Sequence, residues 1–217
     1  MRYNISTLRY QKQSTYAENV TMPFAIEGAF NPLELKRLQE LMNRTDTEDR
    51  PALTMGDADM GNYRGDDTPR VAYENAIPFA EFTEWYYNKL EQLTHEANEQ
   101  FYGFELDNLM EPSILLRYES SERGKYDFHV DAGGDIPTCF RKLSSNILVN
   151  DPSEYEGGEL LFGHLQHADD SGNPILHYPK TPGTIIFFPS YLQHAVTPVT
   201  KGTRHAIVTW FHGPPFK

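Results

Sequence analysis

The stretch GTIIFFPSYLQHAVTPVTKGTRHAIVTWF, residues 183–211, decides the fold. It contains three runs of strand length, GTIIFFP (183–189), HAVTPV (194–199) and RHAIVTWF (204–211). Each is rich in β-branched and aromatic residues, and Pro, Gly, Ser and Lys punctuate the gaps between them. The same rhythm extends upstream through SILLRYE (113–119), SSNILVN (144–150) and GELLF (158–162). Before residue 113 the period changes. In AFNPLELKRLQELMNR (29–44), Asn31 is placed to cap a helix and Pro32 suits its first turn. Leu33, Leu35, Leu38 and Leu41 are expected along one broad apolar face. A second helix over about 79–101 carries Phe82, Trp85, Tyr86, Leu90, Leu93 and Ala97 at helical spacing, as a helix lying on a sheet requires. Helices followed by many short strands predict an α+β domain. Its core is expected to be a double-stranded β-helix, or jelly roll, with the N-terminal helices packed on one sheet.

The chain is read as a single domain over 1–217, with about 1–110 as helical support and about 111–212 as the jelly-roll core. Residues 45–73, rich in Asp, Gly and Arg, are expected to form a mobile loop. A loop of that length either covers a substrate or is plain surface. The hydrophobic fraction, 39%, suffices for a real core, while the net charge of −12 argues against duplex nucleic acid or an anionic membrane as partner. A locally basic mouth remains compatible with that total. The single cysteine, Cys139, rules out a disulfide framework or a multi-cysteine zinc site and reads as a packed thiol. The first twenty residues lack the apolar core of a signal peptide, and no run reaches membrane-spanning length. A soluble, cytoplasmic, monomeric protein is the expectation.

The chemistry gathers in YDFHVDAGG (126–134). In an extended strand His129 and Asp131 project to the same side, as two ligands of one metal must. A histidine and an aspartate so spaced are common as a surface pair, and partners elsewhere are needed to make them a site. His194 supplies the third ligand from a different strand. His164 and His167 lie in a polar stretch and read as solvated. Two imidazoles and one carboxylate with open positions suit Fe(II), whereas a closed structural zinc site would need a fourth protein ligand. Arg204, ten residues after His194, opens an apolar strand where an arginine needs a reason to point inward. Its planar guanidinium can grip a carboxylate through two parallel hydrogen bonds. By alternation Arg204, Ala206, Val208 and Trp210 share one face, so Trp210 is expected to wall the same cavity. A non-enzymatic cupin-like binding module or a zinc hydrolase could use the three ligands but would have no use for Arg204.

YDFHVD, EGGELLF (156–162) and FFPSYLQHAVTPVTKGTRHAIVTW (187–210) resemble the iron- and 2-oxoglutarate-dependent dioxygenases. More narrowly, they resemble the prolyl 4-hydroxylase branch and the PKHD-type hydroxylases within it. The resemblance implies His129, Asp131 and His194 as ligands of Fe(II), and Arg204 as the partner of the far carboxylate of 2-oxoglutarate. It implies O2 as co-reactant, with ascorbate a further candidate. Tyr118 in LLRYES (115–120) matches a tyrosine beside the cosubstrate, and Tyr126 matches a pocket tyrosine nearer the substrate. Where relatives carry a cosubstrate-binding tyrosine this chain has Leu148. Where other oxygenases place a serine two residues after the arginine, it has Ala206. The second contact to 2-oxoglutarate then falls to Tyr118, Ser144 or Asn146. The implied reaction is hydroxylation of an unactivated C–H bond. The branch suggests a prolyl residue in a peptide or protein; a free amino acid or small metabolite is the alternative. The acidic 45–73 loop suggests a basic peptide segment as partner.

Overall fold

The computed structural model describes residues 2–3, 22–42, 50–52, 68–163 and 179–216. Two antiparallel sheets face each other across the core. The larger, nine-stranded sheet takes β1 (Arg2–Tyr3), β2 (Phe24–Ile26), β3 (Arg50–Pro51) and β5 (Tyr73–Ala76) from the first half of the chain. From the second half come β6 (Ile114–Glu119), β8 (Arg141–Leu148), β9 (Tyr155–Gly157), β11 (Ile185–Pro189) and β13 (Val199–His212). Their order is β1-β2-β11-β8-β13-β6-β5-β3, with β9 paired to β13. The smaller sheet runs β10 (Leu160–Phe162), β12 (His194–Val196), β7 (Lys125–His129) and β4 (Arg70–Val71). This is the expected α+β architecture, a double-stranded β-helix with helices on one face.

Two helices cover the outer face of the large sheet. In α1 (Pro32–Met42), the Asn31 carboxamide oxygen accepts from the backbone N–H of Leu33 and Glu34, both at 3.0 Å. The Glu34 carboxylate in turn accepts from the Asn31 N–H at 2.8 Å, closing a reciprocal cap. α2 (Glu84–Ala97) follows a short 3-10 turn and continues into a π turn that stops at Gly103, whose φ of 69° suits glycine. Leu35, Leu38, Tyr86, Leu90, Leu93 and Ala97 pack on Leu143, Ile147, Ile185, Phe187, Ile207 and Phe211 of the sheet. The Tyr86 hydroxyl donates to Ser113 at 2.9 Å, and Ser113 lies 2.6 Å from the Thr209 hydroxyl, so the helix is also pinned by a buried polar chain.

Two expectations for the helix faces change. Leu33 is 61% exposed because it sits two residues, about 200° of helix, from Leu35. Phe82 is 45% exposed because it lies in the 3-10 turn ahead of α2, outside its register. The 45–73 loop is also not wholly irregular. Arg50–Pro51 pair with Tyr73–Glu74, and Arg70–Val71 pair with β7. The remainder of the expected mobile cover lies outside the described residues, as do His164 and His167. No helix among the described residues is long and apolar enough to cross a membrane.

β13 sets up the site through its alternation. Ile207 and Phe211 face the helices, while Val208 packs with Leu116, Tyr118 and Val196 between the sheets. The same parity carries Arg204, Ala206 and Trp210 inward.

Candidate active site

His129 ends β7 and His194 begins β12, and the two are register partners in the small sheet. Their ring centroids lie 4.2 Å apart. Asp131 is not on the strand. β7 stops at His129, and the chain turns so that the Asp131 N–H donates to the Ser190 carbonyl at 2.8 Å. It is this turn, and not strand alternation, that brings the Asp131 carboxylate to His129. One carboxylate oxygen is 3.7 Å from His129 Nε2 and the other 3.6 Å from His194 Nε2. Ligand atoms of all three residues fall within 4.8 Å of one another, and among the described residues no other group of three metal-binding side chains does so.

Both rings are oriented by the same local device. The Nδ1 of His129 bonds the Asp127 carbonyl at 2.8 Å, and that of His194 bonds the Leu192 carbonyl at 2.9 Å. A ring donating from Nδ1 to a carbonyl presents an unprotonated Nε2, the ligating atom, toward Asp131. Tyr126 stacks on His129 with centroids 3.5 Å apart and 14° between planes, and Arg70 lies over Tyr126 at 4.8 Å. Burial, followed by the neighbouring His194, holds the His129 pKa down to about 4. For Asp131 burial alone would raise the pKa. The imidazoles, the Ser144 hydrogen bond and Arg141 outweigh it and hold the carboxyl below its ordinary range. Neutral imidazole and ionised carboxylate are the metal-binding forms.

A cavity of about 320 Å³ opens from these ligands into the space between the sheets. Its lining includes Tyr118, Leu116, Asn146, Leu160, Val196 and Val208, together with Arg70, Tyr126, Arg141 and Trp210. Arg204 is not part of that lining; it is 1% exposed, with its guanidinium carbon 5.4 Å from the centre of the Tyr118 ring. All three of its guanidinium nitrogens are buried without a hydrogen-bond partner among the described residues. A buried cation left so costs several kcal/mol, roughly, unless an anion answers it. Burial also pushes the Tyr118 phenol up, so it stands there as a protonated donor. The donor set therefore fits a divalent cation, and the orphaned guanidinium, against the Tyr118 ring of the cavity lining, suits an anion.

The other expected residues divide. Asn146, with its side-chain oxygen unpartnered, and Trp210, with its indole N–H unpartnered, both line the cavity. Leu148 and Ala206 face each other across β8 and β13 and bring no polar group. Ser144, expected as a cosubstrate contact, is corrected. Its hydroxyl donates to the Asp131 carboxylate at 2.7 Å, which uses its only proton. Cys139 is half-buried and unpaired, as expected.

Sequence reasoning missed the layer behind the ligands. Arg141 grips Glu111 with Nε at 2.8 Å and Nη2 at 2.5 Å, and reaches the Asp131 carbonyl at 3.3 Å. Its guanidinium carbon lies 3.8 Å from the Trp210 ring centre. His212 meets the same Glu111 carboxylate at 2.9 Å. Burial pushes Glu111 up, but hydrogen bonds from Arg141 and His212 outweigh it and bring its pKa down to about 2. Strict alternation along RKLSSNIL (141–148) groups Arg141 with Leu143 and Ile147, which face the helices, and only a register shift at Phe211/His212 changes that, so the strand's period gave no signal for Arg141. Nothing local marks Glu111.

Residues 113–212 match the 2OG-Fe(II) oxygenase superfamily. Fe(II) and 2-oxoglutarate are the groups this oxygenase family implies, and the His129, Asp131 and His194 cluster fits the first of them. The chain is similar to a PKHD-type hydroxylase of Xylella fastidiosa (strain 9a5c), 40% identical over 98 residues, covering 41% of this chain and 40% of that relative. It is 29% identical to PKHD-type hydroxylase YbiX of Escherichia coli O6:K15:H31 (strain 536 / UPEC) over 197 residues, 87% of this chain and 77% of that relative. The matches to the Xylella relatives thus span about two-fifths of their length. In fold the chain resembles a prolyl hydroxylase from Trichoplax adhaerens, solved with a peptide fragment of a hypoxia inducible factor oxygen degradation domain. The TM-score is 0.64 at 14% identity, covering 89% of this chain and 84% of that one.

Proposed function

We propose that this protein is an Fe(II)- and 2-oxoglutarate-dependent dioxygenase that hydroxylates a prolyl residue in a peptide or protein, with residues of about 111–212 as its catalytic core. The observation that carries the reading is the orphaned guanidinium of Arg204 against the Tyr118 ring, which lines the same cavity as the His129, Asp131 and His194 cluster. His129 Nε2, His194 Nε2 and one oxygen source on Asp131 would hold the ferrous ion. Arg204 would hold the far carboxylate of 2-oxoglutarate through paired charge-assisted hydrogen bonds, with the Tyr118 hydroxyl as the second contact. When bound, the metal and its cosubstrate supply oxygen activation, driven by decarboxylation of 2-oxoglutarate to succinate.

The chain's own contribution is geometric. Leu116, Leu160, Val196 and Val208 make an apolar sleeve that keeps water from the cosubstrate. Tyr126 fixes the plane of His129, while Trp210, backed by Arg141, walls the end where substrate would meet the metal. Arg70 and Arg141 also line the cavity, each already ion-paired, with Glu74 at 3.4 Å and with Glu111. The prolyl peptide assignment draws on the names of the PKHD-type relatives and on the peptide bound by the Trichoplax neighbour. Two measurements test the reading. Anaerobic addition of 2-oxoglutarate to the Fe(II) protein is expected to give a weak visible charge-transfer absorption. Aerobic incubation with a proline-peptide library is expected to give succinate and a peptide heavier by a single oxygen atom. No succinate with any peptide, amino acid or metabolite offered would refute the oxygenase reading. Oxygen incorporation only into a free amino acid would refute the peptide assignment.

A further inference from the structure

Asp131 is held in a way that its position in the chain alone does not require. Its backbone N–H and that of Ala132 both donate to the Ser190 carbonyl, at 2.8 and 2.9 Å. Its carboxylate accepts from the Ser144 hydroxyl at 2.7 Å, on the oxygen nearer His194. The Ser144 and Ser190 hydroxyls are 2.9 Å apart. Because the single proton of Ser144 goes to Asp131, Ser190 is the donor to Ser144, and the polarity of the chain is Ser190 to Ser144 to Asp131. Ser144 is 1% and Ser190 0% exposed, so water does not compete for these bonds.

The two imidazoles do not by themselves choose between the carboxylate oxygens, at 3.7 Å and 3.6 Å. The serine pair does. An oxygen that already accepts a short, buried hydrogen bond is the weaker donor to a cation, which leaves the other as the ligand. We propose, on the basis of the metal and cosubstrate reading above, that Ser144, oriented by Ser190, keeps Asp131 a one-oxygen ligand.

The consequence lies in the number of open positions. An octahedral ion held by three protein atoms keeps roughly three positions free. A 2-oxo acid chelating through two oxygens takes about two of them, and the last is what O2 requires. A carboxylate bound through both oxygens would consume that last position. Ser144 is thus a positioning residue whose effect is on access of the oxidant to the metal, with no substrate or cosubstrate contact of its own.

The test counts waters on the metal and needs no turnover. Mn(II) replaces the ferrous ion at saturating concentration, and exchangeable water is measured by water-proton relaxation before and after 2-oxoglutarate. The wild type is expected to show about three waters, falling to about one with 2-oxoglutarate. Ser144→Ala is expected to show about two, falling to none, and Ser144→Thr, which keeps the hydroxyl, to restore the wild-type counts. Ser190→Ala leaves the Ser144 hydroxyl but removes its restraint, so its count falls in the same direction; it decides the matter if Ser144→Ala does not fold. Wild-type counts in the folded alanine variants would overturn the assignment. A wild type that loses no water on adding 2-oxoglutarate would instead overturn the cosubstrate reading, and the counts without 2-oxoglutarate would still judge Ser144.

Discussion

Replacing Arg204 with methionine is expected to move stability and ligand response in opposite directions. The guanidinium is fully buried and none of its nitrogens has a hydrogen-bond partner among the described residues, so the ligand-free fold carries an unanswered charge. Methionine fills much of the same volume without that charge. Buried ionic groups replaced by apolar ones of similar size often leave a protein more stable by about 1–4 kcal/mol. The lost contact with the Tyr118 ring offsets part of that gain. A net gain of about 1–2 kcal/mol would raise Tm by roughly 2–8 °C in a chain of this size. With Mn(II) and 2-oxoglutarate present the sign reverses. Wild type at about a hundred times Kd gains ~2.7 kcal/mol from the ligand. Arg204→Met loses two charge-assisted hydrogen bonds worth about 1.5–3 kcal/mol each, so its Kd weakens by roughly a hundredfold or more. At the same 2-oxoglutarate concentration its thermal shift should be close to zero. Scanning calorimetry of both proteins, with and without 2-oxoglutarate, measures all four values. A variant that kept the wild-type shift, or whose ligand-free Tm fell by several degrees, would show that Arg204 serves the fold and does not hold an anion.

Gly158 is the second perturbation. It has a φ of +64°, and a Cβ there would lie 2.6 Å from the Arg204 side chain. Gly158→Ala should therefore cost about 1–3 kcal/mol in stability and weaken 2-oxoglutarate binding, read by calorimetric titration, while Mn(II) affinity stays unchanged. An unchanged Kd for 2-oxoglutarate would remove Gly158 from the support of Arg204. Glu111 governs the acid limb. Its pKa is lowered to about 2 in the folded chain, below the ordinary 4.5, so its stabilisation is full above the unfolded value and disappears as pH falls through the folded one. The difference between wild type and Glu111→Gln should be about 2 kcal/mol near neutral pH, after discounting for its partial exposure, and close to zero near pH 2. Urea titrations across that window check it, and a difference that grew on acidification would contradict the sign.

What the sequence showed of this architecture depends on how local each feature is. The short apolar runs from residue 113 onward became strands because a period of two and a high β-propensity act within a few residues. Asn31 and Pro32 marked the start of α1 by cap chemistry that is equally local. Arg204 stood out because a charge inside an apolar strand is a conflict visible without any partner. The three residues proposed as metal ligands were legible through spacing and resemblance, yet the turn that aims Asp131 was not. That turn depends on Ser190, which arrives from a different strand end. Ser144 was misread for the same reason. Parity put it on the cavity side, but only the register of β8 against β11 brings it beside Ser190 and Asp131. Glu111 lies outside every strand, and its meeting with Arg141 and His212 is a product of tertiary packing alone.

The residues proposed to hold the metal and those proposed to hold the far carboxylate belong to different layers. His129 and His194 stand on the small sheet, whereas Arg204 and Tyr118 stand on the large one, paired with each other across β13 and β6. A diacid gripped at both ends is then a strut between two sheets that lie about 10 Å apart. Its required length is set by the thickness of the sandwich, so the fold itself acts as a gauge. A homologue of 2-oxoglutarate shorter or longer by a methylene would leave either the guanidinium or the metal unmet, however flexible the side chains at the mouth.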